Sequence, residues 1–299
     1  MPAKILAKIL AKIPVRTLAI IAVLVSIFSV QLGGAFAKSI FPAIGAEGTT
    51  ALRQLFSTLV LCAVFQPWKG RPERRHWGLV ALYGLLLGVM NLCFYLAIAR
   101  VPLGIAVAME FTGPLAVAIL SSRRWIDALW VACALGGLAI LLPWQGGAAR
   151  IDAMGVVWAL IAGACWGLYI IVSQKVTDRV HGGKAVAVGM LISTLFTLPV
   201  GMIHAGAALW SWRILPTGVA VAILSSAIPY SFEMMALKHL PTKTFSLMMS
   251  LEPAAAALLG LVILGEQLRP AQWLAIGLVI IASAGSSLTS RRPPDEAVA

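Results

Sequence analysis

The sequence predicts an all-α polytopic membrane protein, with ten transmembrane helices arranged as two inverted-topology five-helix repeats. Three observations carry this. Hydrophobic residues make up 60% of the chain and charged residues 11%, with a mean hydropathy of +0.94. Apolar runs of about twenty residues recur along its whole length, enough for a helix to cross a ~30 Å hydrocarbon layer. Finally, residues 101–114 (VPLGIAVAMEFTGP) are echoed by residues 240–253 (LPTKTFSLMMSLEP), offset by 139 with a Pro-to-Pro spacing of twelve in each copy. A soluble domain of this length would need far more charge to cover its surface.

The charge pattern excludes a nucleic-acid partner. The net charge is +12, but the basic residues sit in short gaps between apolar runs rather than on a soluble face, and such gaps are what the positive-inside rule counts. Cys62, Cys93, Cys133 and Cys165 all fall within apolar runs. Their spacing fits neither a disulfide framework nor a metal site, and they read as small buried hydrophobes.

The chain opens on AKILAKILAKI at residues 3–13, where Lys4, Lys8 and Lys12 share one helical face. This basic amphipathic segment, assigned to residues 1–15, suits an anionic membrane surface and is expected to hold the N-terminus in the cytoplasm. Ala35-Phe36-Ala37 imitates a signal-peptidase site, but the apolar run before it is too long and further spans follow, so the first helix reads as uncleaved. The ten spans are placed at 16–36, 46–66, 76–98, 102–121, 126–144, 154–174, 184–204, 214–236, 242–264 and 270–289. Pro67, Pro102, Pro216, Pro241 and Pro270 mark starts or stops. The first repeat covers 16–144, the second 154–289, and a cytoplasmic tail 290–299.

Orientation follows from the gaps. With the N-terminus inside, the inner segments carry seventeen Lys and Arg and the outer segments five: Lys38, Arg100, Arg150, Arg213 and Arg269. That asymmetry places both termini in the cytoplasm. Five spans per half is an odd number, so the second half enters from the opposite side, a hallmark of transporters that rock about a central site.

Few ionisable residues lie inside the spans: Arg53, Glu110, Glu233 and Glu252, with Lys38 near an outer end. A charge at mid-bilayer costs ~3 kcal/mol on insertion scales, so it faces the bundle interior or a water-filled cavity. Glu110 follows Pro102 by eight residues, ~12 Å of helix, and Glu252 follows Pro241 by eleven, ~16 Å, which puts both near the middle. Each has a structural alternative. Glu252 can serve backbone groups freed by Pro253. Glu233 reads as a snorkelling or helix-end charge and Lys38 as an interfacial anchor. Arg53 and Glu110 lie too deep to snorkel, and their alternative is a structural ion pair with each other. Gln31, Asn91 and Tyr95 add hydrogen-bonding groups to a cavity, or act as packing glue between helices.

Several glycines recur at small-xxx-small spacings, which allow close helix approach. Most of the tryptophans (Trp68, Trp77, Trp125, Trp144, Trp210 and Trp212) fall near span ends, as an interfacial belt predicts. No HExxH, Walker A motif, metal-ligand cluster or Ser/His pair within the membrane occurs. The expected answer is no enzyme, no cofactor and no metal.

Several segments carry a family likeness: VPLGIAVAMEFTGPLAVAILSSRR (101–124), AKSIFP (37–42), TALR (50–53), LPTKTFSLMMSLEPA (240–254), LGE (264–266) and IIASAGSSLT (280–289). Together they resemble the drug/metabolite transporter superfamily with EamA-type repeats, over residues 17 to 290. The Glu110 segment is the most specific part, and LGE and EP are general to the superfamily. The resemblance implies export of small amino acids, threonine and homoserine among them, from a bacterial cytoplasm through the inner membrane. It brings no established set of binding residues.

The residues themselves suggest how a zwitterion would be held. Arg53 suits its carboxylate and Glu110 its ammonium, with Asn91, Tyr95 and Gln31 around them. Glu252 and Glu110 are the candidates for proton coupling. Expected partners are therefore a small amino acid, protons and membrane lipid, with homo-oligomerisation left open. Export of another metabolite or a drug stays open as the alternative. The repeat argues against a passive channel, and the missing nucleophile–base pair against an intramembrane enzyme.

Overall fold

Residues 14–68, 77–120, 125–141, 152–177, 182–237 and 239–289 are described by a computed structural model. The N-terminal lysine repeat, the tail from 290 onward and most basic residues of the inner gaps lie outside the described residues. All regular structure among the described residues is helical. The order is α1 (Val15–Phe65), α2 (Trp77–Ile98), α3 (Leu103–Glu110), α4 (Thr112–Leu120), α5 (Asp127–Leu141), α6 (Ala153–Thr177) and α7 (Gly182–Ala205). A 3₁₀ turn (Gly206–Trp210), α8 (Leu215–Ala222), a π turn (Ile223–Ala227), α9 (Ile228–Leu237), α10 (Thr242–Met249), α11 (Glu252–Leu264) and α12 (Pro270–Thr289) complete it. Seven helical stretches are long and apolar enough to cross a membrane, and two shorter apolar helices lie at Leu103–Val117 and Asp127–Leu141. This is an integral, multi-pass membrane protein.

α1 holds 51 residues, which if straight would run about 77 Å, more than twice the hydrocarbon thickness. It breaks at Gly45, whose φ of 70° and ψ of 175° lie outside helical space and suit a residue without Cβ. Pro42, one turn earlier, also withholds an N–H from the ladder. The two arms fold back side by side. Ser29 Oγ donates to the Leu224 carbonyl at 2.7 Å, and Ser57 Oγ lies 2.8 Å from Ser226 Oγ. Those serines are 28 residues apart, about 42 Å along a straight helix, yet they meet neighbouring residues of one turn.

The two echoed segments share one backbone geometry. Pro102 (φ −55°, ψ 143°) caps the eight-residue α3, and Pro241 (φ −57°, ψ 139°) caps the eight-residue α10. Both helices then give way at matching positions, Phe111 (φ −63°, ψ −19°) and Ser250 (φ −61°, ψ −13°). The cause is a proline three residues later. Pro114 has no N–H for the Glu110 carbonyl and Pro253 has none for that of Met249.

α1 packs against α7, α2 against α6, and α5 against α12. A very close approach occurs where the α3–α4 break meets α6. A Cβ on Gly113 would lie 1.7 Å from the Gly163 carbonyl oxygen, so only glycine permits this crossing. Large apolar side chains such as Phe28, Leu59, Leu82, Leu195, Val262 and Ile281 are exposed on the outer surface. In water such a surface would drive aggregation; in lipid it is the ordinary outer face.

Candidate functional site

A cavity of about 240 Å³ lies where the helix breaks converge, and its walls include Gln31, Arg53, Asn91, Tyr95, Glu110 and Glu252. Every residue singled out in the sequence for substrate or proton thus lines one space. Leu87, Asn91 and Tyr95 follow at intervals of four on α2, which places them on one helical face.

Arg53 is held by neighbours other than Glu110. Its Nη1 donates to Asn91 Oδ1, and its Nη2 reaches the Ser225 carbonyl at 3.5 Å. Its guanidinium carbon lies 5.5 Å from the centre of the Tyr95 ring, a cation–π arrangement. Asn91 is oriented by its own Nδ2, which donates to the Leu87 carbonyl at 2.7 Å. Arg53 Nε is buried and has no hydrogen-bond partner among the described residues. The Ser225 carbonyl is presented by the π turn, whose wider winding frees it from regular α pairing.

Glu110 ends α3 and is 9% exposed. Among the described residues its carboxylate forms neither a hydrogen bond nor an ion pair, and the structural pairing of Arg53 with Glu110 is not what the fold builds. Glu252 opens α11 and is buried, with its carboxyl at the positive end of the helix dipole. Glu233 belongs to the same cavity rather than to the membrane interface, and accepts a hydrogen bond from Ser26 Oγ at 2.5 Å. Three carboxyl groups and one guanidinium therefore share the space.

Lys38 is not a free interfacial anchor. It pairs with Glu266 Oε1 at 2.5 Å, while Glu266 Oε2 accepts the Leu103 N–H at 2.8 Å. Both lie away from the cavity. This latch joins α1, the start of α3 and the loop before α12.

Sequence reasoning missed Trp166, Tyr169, Ser225 and Met249, which also line the walls. Trp166 and Tyr169 stand three apart on α6, with Gly163 before them and Gly167 between them, a spacing that could have flagged them. Tyr169 is fixed by Tyr83, ring stacked on ring at 4.9 Å with the hydroxyls 3.0 Å apart. Among the described residues no cluster of metal-ligating side chains is close enough to hold an ion.

A multi-pass helical membrane protein, enclosing a polar cavity at its helix breaks, has the build of a carrier. The chain belongs to the EamA-like transporter family, whose model matches residues 17–142 and again 153–288. It is 51% identical over 283 residues to the threonine/homoserine exporter RhtA of Escherichia coli (strain K12), covering 95% of each chain. The RhtA of Salmonella typhimurium (strain LT2) matches with the same identity and coverage. The uncharacterized transporter YwfM of Bacillus subtilis (strain 168) is 26% identical over 221 residues, covering 69% of this chain and 71% of its own. One crystal structure shares the fold with a TM-score of 0.59 at 20% identity, over 91% of this chain and 98% of its own.

Proposed function

We propose that this chain exports threonine, homoserine and similar small amino acids across the bacterial inner membrane in exchange for protons. The observation that carries the reading is a part-buried guanidinium and a buried carboxylate that line one cavity without pairing to each other. An ion pair would consume both charges; left apart, they can meet the two ends of a zwitterion. Arg53 takes the carboxylate, with Asn91 and Tyr95 fixing the guanidinium, and Gln31 offers a further polar contact. Glu110 takes the ammonium. Carboxyl groups outnumber the guanidinium, so the cavity has acidic groups to spare for proton carriage, Glu252 first and Glu110 shared. The 51% identity to exporters named for threonine and homoserine supports the substrate class.

Ten crossings follow if the arms of α1 count separately and the two shorter apolar helices each span. The halves 16–144 and 154–289 form an inverted repeat, and both termini are cytoplasmic. The two family matches and the equal geometry of α3 and α10 support the repeat.

Proteoliposomes test the transport reading. Saturable threonine flux driven by an imposed proton gradient is expected. Non-saturating flux indifferent to the gradient would mean a channel, and no amino acid flux would sink the substrate assignment. Orientation is tested by a single cysteine at position 71, which should label from outside only after permeabilisation.

A further inference from the structure

A second cavity, of about 310 Å³, lies directly behind the first. Phe111, Leu115, Ile170 and Phe245 make it apolar, with serines of α10 and α12 along one side. Trp166 and Met249 line both cavities, so these two side chains are the partition between them. Trp166 is braced from behind by Phe111, edge to face with ring centres 5.2 Å apart. Met249 packs against the neighbouring apolar side chains through its flexible thioether and not through a ring contact. It is unbranched, and it closes α10 at the break where Pro253 leaves its carbonyl without the usual helical partner. The 139-residue offset places it at the counterpart of Glu110. One copy of the repeat thus turns a carboxylate to the polar cavity and the other an apolar wall.

We propose that Met249 is a specificity-determining residue that sets the upper size of the transported side chain, with Trp166 as the fixed edge of the same wall. This rests on the amino acid reading of the polar cavity and deepens it. The polar cavity holds the ammonium and carboxylate, and a small side chain ends against Met249. A larger apolar side chain, such as that of leucine or phenylalanine, is excluded by the thioether although apolar space exists behind it. Shortening residue 249 joins the two spaces, and the added room is apolar, so the gain falls on bulky apolar amino acids and not on polar ones.

The test is competition in proteoliposomes, with labelled threonine as the flux and leucine, phenylalanine or glutamine as the unlabelled competitor. Met249→Ala should raise the leucine-to-threonine selectivity about tenfold or more, since one methylene of pocket space is worth roughly that factor. Glutamine should not gain. Met249→Val should shift the ratio in the same direction by less, which also serves if the alanine variant does not fold. Adding Ser286→Leu, which fills the rear cavity, should cancel the gain. Unchanged leucine selectivity in whichever variant carries threonine flux overturns the filter while leaving the substrate reading intact. A gain for glutamine equal to that for leucine also overturns it. Absence of threonine flux in the unmodified protein removes the substrate reading and the filter with it.

Discussion

Glu110→Gln separates a binding carboxylate from a structural one. The substitution keeps size and hydrogen-bonding capacity but removes the charge. In the fold Arg53 is held by Asn91, the Ser225 carbonyl and the Tyr95 ring, and Glu110 has no bonded partner among the described residues. Neutralising Glu110 therefore strands no direct ionic partner, and thermal stability in detergent should change little. A hydrogen bond to a charged group contributes about 1.5–3 kcal/mol, roughly twice a neutral one. Losing it from the substrate ammonium should weaken threonine binding about 10- to 150-fold. Arg53→Gln should weaken binding through the carboxylate. It should also lower stability somewhat, because Asn91 loses its partner. The assay is threonine flux in proteoliposomes, paired with thermal unfolding of each single variant and the double. Two unstable single variants, with stability and flux restored in the double, would mean the pair is structural and would refute the reasoning.

The remaining expectations concern the scaffold. Gly113→Ala puts a Cβ 1.7 Å from the Gly163 carbonyl oxygen, so the α3–α4/α6 crossing must open; an overpacking loss of about 1–3 kcal/mol or more should appear as a lower Tm in detergent. Glu266→Ala removes both the Lys38 ion pair and the acceptor for the Leu103 N–H, so it should destabilise more than Lys38→Ala, and a double-mutant cycle should give a coupling of about 0.5–3 kcal/mol. Asp152 sits just before α6, where the Gly155 N–H, the Arg100 guanidinium and the Met154 N–H hold its carboxyl below the ordinary carboxylate range. A lowered folded-state value means the contribution is complete above the unfolded value of about 3.9 and is lost as pH falls through the folded one. Asp152→Asn should thus melt below the parent at neutral pH, and the gap should close under acid.

Much of this was legible from periodicity and composition, because lipid leaves a chain few choices. Every backbone group must pair within a helix, so apolar runs of about twenty residues translate into helices with little ambiguity. The candidate site was legible for the same reason: a charge deep in an apolar run has to face inward, and Arg53, Glu110 and Glu252 line one cavity. What the runs could not supply was who meets whom. Arg53 and Glu110 are the obvious partners by depth and sign, yet Asn91 takes the guanidinium. Lys38 resembled an anchor because its partner, Glu266, is 228 positions away. Glu233 looked peripheral because depth counted from a helix end does not tell which way the side chain points. The aromatic and thioether walls carried no charge to single them out.

Equal backbone with unequal chemistry is the feature that ties the fold to its proposed work. A helix capped by proline and broken by a second proline occurs at Leu103–Glu110 and again at Thr242–Met249, and each break releases one backbone carbonyl beside the cavity. Two identical copies would present the same group twice to one cavity. Here the last residue of the first copy is an acid and that of the second is a thioether. The acid of the second copy, Glu252, stands three residues further on, at the start of the following helix. The shared geometry brings the last residue of each copy to one cavity, and the difference in side chains gives that cavity a polar pole at Glu110 and an apolar limit at Met249. Exchanging these residues, Glu110→Met together with Met249→Glu, would leave the composition of the walls unchanged. It should nonetheless abolish threonine flux, because the carboxylate would then stand in the apolar partition instead of at the end of α3. Retained flux in that exchanged protein would show that cavity composition alone is sufficient and that the asymmetry of the breaks has no part in substrate placement.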